Sequence, residues 1–277
     1  MPDPSTSIRT RTTLALLTVA ALLGVPGPEV RAADDWSTAP GPLEGPPRII
    51  GKHGAACLIG AEQLPLEGIG YQTADLARRR HFGHPVLIDY IEDLGRRVAN
   101  AEFGPMLVGD MAQPRGGPMS YGHVSHQSGL DVDIWFRLDL PPLDRSEREG
   151  LEQPILVDPM TGQLDRARWT EDHAKLIQLA ADDPRVARIF VDAAVKEDLC
   201  SREWEDRSWL RHIRPWPAHD EHLHVRLRCP ENSPECVDQP EPPPGEGCQG
   251  LVPTPRTERE SLPIRTLPQA CRAVLSR

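Results

Sequence analysis

The chain has 277 residues, 39% of them hydrophobic and 26% charged, with a formal net charge of −10. That is enough apolar material for one core of ordinary size, which excludes a small disulfide miniprotein, and no tripeptide glycine period suggests a collagen-like rod. The acidic balance and an aromatic content of only 5% argue against nucleic acid as a partner, because an anionic surface repels phosphates and stacking platforms need aromatic rings.

In chain order, the first feature is the apolar run at 14–25, LALLTVAALLGV, with Arg9 and Arg11 ahead of it and Pro26 and Pro28 behind. At about 1.5 Å of rise per residue the run is too short to span a bilayer, but it suits the apolar region of an export signal. Residues 1–32 are therefore read as a cleaved signal peptide, with Val30 and Ala32 before the cut and no stable membrane insertion afterwards. No Arg-Arg pair precedes the run and no Cys follows it closely, which disfavours twin-arginine export and lipid attachment. A Pro/Gly/Ala-rich arm follows at 34–47.

Leu87, Ile91, Leu94 and Val98 share one stripe behind Pro85, so the spacing predicts an amphipathic helix over 86–99. Residues 106–110 and 130–136 read as strands, and 138–163, rich in charge and proline, as an irregular surface insertion. A second helix is expected at 171–181, with Thr170 as N-cap and Leu176, Ile177, Leu179 and Ala180 available to a core. ARIFV at 187–191 reads as a strand, after which Asp192 caps a short helix to Leu199. Beyond Arg228 the periodic pattern stops, and ten prolines mark 229–277 as a tail that needs tethering. Six cysteines, Cys57, Cys200, Cys229, Cys236, Cys248 and Cys271, point to three disulfides in an exported chain, with fifteen pairings open. No pair has CxxC spacing, so a cysteine zinc site is not supported.

The chemistry is concentrated in two windows, YGHVSHQSGLDVD at 121–133 and HDEHLH at 219–224, which hold five of the ten histidines. As a strand, 222–228 alternates His222, His224, Arg226 and Arg228 on one face with Leu223, Val225 and Leu227 on the other. Asp131, Asp133 and Trp135 likewise oppose Leu130, Val132, Ile134 and Phe136. Two such strands would form a sheet with an apolar back and a polar working face. Two imidazoles and one carboxylate are what a catalytic zinc requires, with the fourth tetrahedral position left for water, and His126, Asp133 and His224 can supply them. His222, on the same strand face, is placed to move a proton or hold an oxyanion. Alternating histidines also occur on exposed strands without metal, so neither window is decisive alone. His53, His81, His84, His173 and His212 are read as ordinary core or surface residues. Neither HExxH nor GxSxG occurs.

GHVSHQSGLDVDIWF together with RPWPAHDEHLHVRLRCP closely resembles the penicillin-insensitive murein endopeptidases, exported zinc peptidases related in their metal site to the lysostaphin-type and D-Ala-D-Ala peptidases. CLIGAEQLP, RRRHFGHP, LVGDM, RIFV and DQPEPPPGEGC extend the resemblance over most of the mature chain. It implies zinc ligands His126, Asp133 and His224, with His123 a further ligand or close neighbour, and auxiliary active-site roles for His222 and His219. It also implies the pairings Cys57–Cys271, Cys200–Cys248 and Cys229–Cys236, a periplasmic location, and crosslinked peptidoglycan as substrate, cut at the D-alanyl bond to meso-diaminopimelate. Asp131 reads as a partner orienting a ligand histidine or as a solvated strand-edge charge, Arg226 as a partner of Asp131 or of a substrate carboxylate, and Trp216 and Arg214 as a cleft wall, with core packing the alternative for Trp216.

The expected fold is α+β: a small antiparallel sheet carries the zinc site on one face and helices cover the other over 33–228, with the tail 229–277 pinned by disulfides. The expected function is a zinc metallo-endopeptidase of murein. The rivals are a non-catalytic zinc-containing periplasmic protein that binds or scaffolds murein, and a D,D-carboxypeptidase.

Overall fold

A computed structural model describes residues 36–138, 140–251 and 266–277. The expected signal peptide at 1–32 lies outside them. The elements in chain order are β1 (Arg48–Lys52), β2 (Ala55–Ile59), β3 (Glu62–Gln63), β4 (Glu67–Gly68), β5 (Tyr71–Thr73), β6 (Phe82–Gly83), α1 (Pro85–Asn100), β7 (Met106–Val108), β8 (Asp131–Trp135), α2 (Glu171–Ala181), β9 (Val186–Val191), α3 (Ala193–Ser201), β10 (Ile213–Pro215), β11 (His222–Leu227) and α4 (Cys271–Leu275).

The helices begin where local chemistry starts them. His84 Nδ1 accepts from Val86 N at 3.2 Å and Pro85 opens α1, so two of the unpaired first-turn amides are accounted for. Burial holds the His84 imidazole down to about 4, which keeps it a neutral acceptor. Asp192 accepts from Ala194 N at 2.9 Å at the start of α3, as its sequence position predicts. The stripe Leu87, Ile91, Leu94 and Val98 of α1 is fully buried, and Tyr90 Oη donates to Ala180 O at 3.0 Å, joining α1 to α2.

The fold class is α+β, but the sheet is not small and antiparallel. It has seven strands in the order β10-β9-β11-β8-β7-β5-β4, of which β5/β7 and β9/β10 pair in parallel. The reason is topological. Each parallel pair brackets a helix, α1 after β5 and α3 after β9, and parallel neighbours require a crossover of that length. Strands of two or three residues, such as β4, β5 and β10, are too short to leave a period in the sequence. The antiparallel pair β8–β11 at the centre of the sheet is the part that the alternating pattern foretold.

Val132, Ile134, Leu223, Val225 and Leu227 are fully buried in one apolar cluster with residues of α1, α2 and α3. Removing a Leu or Val side chain of this kind from water contributes about 1.5–3 kcal/mol. A second cluster joins Trp36, Ile50, Cys57, Cys271 and Val274, so α4 packs against the β1–β2 hairpin. The disulfides are Cys57–Cys271, Cys200–Cys248 and Cys229–Cys236. No helix among the described residues is long and apolar enough to cross a membrane.

Candidate metal centre

The two histidine windows meet because β8 and β11 pair antiparallel, with His224 directly opposite Asp133, His222 opposite Trp135 and Arg226 opposite Asp131. Asp133 is the centre of the group. Its Oδ1 lies 3.3 Å from His126 Nε2, 3.3 Å from His224 Nδ1 and 3.6 Å from His222 Nε2, and its Oδ2 lies 3.5 Å from His123 Nδ1. Donor atoms bound at about 2.0–2.1 Å to a tetrahedral ion are separated by about 3.3 Å, which is the spacing of the two shortest pairs. One ligand atom from each of His123, His126 and Asp133 lies within 4.8 Å of the other two.

Both Asp133 oxygens, both His126 nitrogens and His222 Nδ1 are buried without a hydrogen-bond partner among the described residues. Leaving buried polar atoms unsatisfied is costly, and a cation beside Asp133 would satisfy its carboxylate oxygens and the His126 Nε2 that faces them. The donor set of imidazoles and carboxylate therefore fits a divalent metal.

The electrostatics agree with that chemistry. Burial alone would raise the Asp133 carboxyl, but the facing imidazoles of His126, His222 and His123 hold it well below the usual carboxylate range. Burial pushes His224 down to about 4, aided by the charge of His126, and burial also lowers His222. An anionic oxygen donor thus faces two imidazoles, those of His224 and His222, that burial pushes toward the neutral form a metal ligand requires. His126 goes the other way: burial lowers its imidazole, yet the charges of Asp133, Asp131 and Asp110 leave it raised.

A ring of partners orients the donors. Asp131 Oδ1 accepts from Arg226 Nε at 2.6 Å and is 3.1 Å from His224 Nε2, while Oδ2 accepts from the backbone N of His126 at 3.0 Å. Arg226 is thus committed to Asp131, and Asp131 turns the second nitrogen of His224 toward Asp133. The His126 backbone is held at φ 65°, in the left-handed region that a non-glycine residue occupies only under constraint. Gly129, at φ +74°, turns the chain into β8, and a Cβ there would lie 2.5 Å from Leu58 Cδ2.

Three neighbours carried no signal in composition or spacing. Asp110, just past β7, receives His123 Nε2 at 2.9 Å and Arg80 Nη1 at 2.8 Å, and its carbonyl accepts from Asp133 N at 3.0 Å. Burial raises the Asp110 carboxyl, but the His123 hydrogen bond and the Arg80 charge bring it to about 2. Arg80 also donates to Tyr121 O at 3.0 Å and lies 4.2 Å from the Tyr121 ring, tying down the 121–126 loop. His53, set aside in the sequence as ordinary, lies 3.7 Å from Asp131 Oδ2 and 3.3 Å from Ser128 Oγ. Arg80 and Asp110 fall within the RRRHFGHP and LVGDM stretches, but nothing in those stretches alone states what they touch.

His219 lies at the rim, its ring 4.9 Å from that of His222. Trp216 is exposed and packs edge-on to Phe190 at 6.0 Å, so it borders the site and is not core. His81, His173 and His212 serve elsewhere; His173 Nε2, for example, is 3.0 Å from Phe136 O at the start of α2. A cavity of about 970 Å³ between the β4–β5 edge and the 142–148 segment includes none of the clustered histidines.

The donor set leaves the reaction class open, and the comparisons with known proteins name a peptidase family. Residues 49–276 match the penicillin-insensitive murein endopeptidase family, and the chain belongs to it. Proteins called penicillin-insensitive murein endopeptidase from Yersinia pestis, Pectobacterium atrosepticum and Klebsiella pneumoniae are 44%, 44% and 40% identical to this chain. The alignments cover 89%, 95% and 95% of this chain and 92%, 95% and 97% of the relatives, respectively.

Proposed function

We propose that this protein is a zinc metallo-endopeptidase that hydrolyses the D-alanyl–meso-diaminopimelyl crosslinks of peptidoglycan. His126, Asp133 and His224 would hold the ion, with His123 beside them as a neighbour or further donor. The observation that carries this reading is one buried carboxylate oxygen, without a hydrogen bond, facing imidazole nitrogens of both windows at 3.3 Å. Zinc in such a site polarises a carbonyl and lowers the pKa of water to about 7.

The remaining work falls to side chains of this chain. His222 is kept neutral by burial, so it can take a proton from the attacking water and return it to the leaving amine. His219 Nδ1 is 2.9 Å from the Pro217 carbonyl, which can only accept, so the proton sits on Nδ1 and Nε2 is left as an acceptor for a substrate N–H. Asp131 and Arg226 keep His224 aimed, and Asp110 does the same for His123. Export by residues 1–32 to the periplasm, where the murein lies, suits the substrate and the three crosslinks.

The test is digestion of crosslinked muropeptide dimers by the purified protein with and without chelator, read by mass spectrometry. Split dimers without free D-alanine, lost on chelation and restored by zinc, are expected. Free D-alanine would point to a D,D-carboxypeptidase, and intact dimers with bound zinc to a murein-binding protein.

A further inference from the structure

The tail segment between Cys236, bonded to Cys229, and Cys248, bonded to Cys200, is a proline-rich strap fastened by arginines of β9 and β11 and of the segments just before β10 and just after β11. Arg188 donates to Pro240 O, Arg211 Nη2 to Pro242 O at 2.9 Å, and Arg228 Nη1 to Glu241 Oε1 at 2.8 Å. Within this strap Gln239 has a particular place. Its Oε1 accepts from Arg188 Nη1 at 2.7 Å and from Arg226 Nη1 at 2.9 Å. Arg188 and Arg226 are direct partners across the β9/β11 pair, so two like charges stand side by side and one shared acceptor offsets their repulsion.

From Gln239 the contacts run inward. Arg226, buried at 5% exposure, donates Nε to Asp131 Oδ1 at 2.6 Å and lies 5.0 Å from the centre of the Phe190 ring. Asp131 Oδ1 is 3.1 Å from His224 Nε2, and Phe190 meets the His224 ring edge-on at 5.3 Å. Both contacts of Arg226 therefore end on the same imidazole, whose Nδ1 faces Asp133 at 3.3 Å.

We propose that Gln239 is a positioning residue for the metal centre. It fixes Arg226 from outside, Arg226 fixes Asp131, and Asp131 holds His224 Nδ1 toward the point shared with His126 and Asp133. The tail is thereby part of the active-site framework, beyond its part in the crosslinks. This inference rests on the metal reading above.

The experiment measures zinc dissociation constants by chelator competition on the full exported chain, together with kcat and KM on crosslinked muropeptides and the melting temperature of each metal-free protein. The proteins are wild type, Gln239→Ala, Gln239→Glu, Arg226→Met and the Gln239→Ala/Arg226→Met double variant. Loss of a direct partner of a ligand weakens metal binding by about 10–100-fold, so Gln239→Ala, acting two contacts beyond the direct partner Asp131, is expected to weaken it by less, about three- to tenfold. It should lower kcat while leaving KM within about twofold, with the metal-free melting temperature unchanged. Gln239→Glu, which keeps the acceptor oxygen, should restore zinc affinity, and Gln239→Ala should add nothing once Arg226 is Met. A change below threefold, a Glu variant as weak as the Ala variant, or an undiminished effect beside Arg226→Met would overturn the proposal. A wild-type protein that binds no zinc removes the metal reading and this one together; zinc-tight variants of a zinc-tight wild type remove this one alone.

Discussion

The β8–β11 strand pair and the tail beyond Cys229 both bear on Asp131, but they place their side chains by different means. In the strand pair, register does the positioning: Val132, Ile134, Leu223 and Val225 are locked in the core, and the pleat then turns Asp131, Asp133, His222 and His224 together onto the other face. The tail has few apolar anchors of its own and is held by disulfides and by bonds from arginines and a lysine to its carbonyls and carboxylates. A core-held strand cannot shift one residue without exposing its apolar side. A strap held at discrete points can lose one point and keep the rest. The difference teaches where damage should be total and where graded.

The sharpest break of this contrast lies in the strand pair. His126→Ala, Asp133→Ala or His224→Ala should abolish zinc binding and lower kcat/KM by at least about 10³-fold, the equivalent of several kcal/mol of lost charge stabilisation. Metal analysis alongside the muropeptide digest checks this, and full activity in a metal-free variant would contradict it. On the tail side the largest effect is expected from Cys57→Ser/Cys271→Ser, which opens a crosslink spanning 214 positions. Loop-closure entropy puts its loss on the order of 5 kcal/mol, against about 2 kcal/mol for Cys229–Cys236, which spans 7. Urea unfolding of the two pairs of variants should show that order.

His222→Ala separates holding the metal from moving the proton. Zinc content should be kept while kcat falls about 10²–10⁴-fold, as for loss of a general base or acid. Lys196 then tests the strap through pH. Its Nζ is fully buried and donates to Leu210 O at 2.7 Å and to Glu246 O at 2.8 Å, and burial lowers it to about 8. Between pH 8 and 10.5 the unfolded chain keeps a proton that the folded chain has released, so the contribution of Lys196 to stability rises with pH, by on the order of 3 kcal/mol. Unfolding at pH 7.5 and pH 10 should show that gain relative to Lys196→Met; parallel pH profiles would refute it. The smallest effect is expected at Glu241→Ala, where an exposed pair with Arg228 is lost at a cost of about 1 kcal/mol or less.

Much of this contrast was legible beforehand. The α1 stripe, the Asp192 cap and the two alternating strands follow from local periodicity, which needs no knowledge of the partner element. The parallel edges of the sheet were not legible, because strands of three residues carry no period and their pairing is chosen by the helices that cross over. Asp110, Arg80 and His53 were missed as neighbours of the site for a similar reason. Each is a single polar residue without a repeat, and what it touches depends on segments tens of positions away.

What the sequence by itself determined is which residues share a face, since the two-residue pleat sorts His222 and His224 from Leu223 and Val225 whatever the strand pairs with. The tertiary structure alone decided that His224 stands opposite Asp133, that Arg226 turns inward to Asp131, and that Gln239 reaches Arg226 from the tail. Those contacts join segments up to 95 positions apart, and a local pattern holds no information about the register at which distant strands meet.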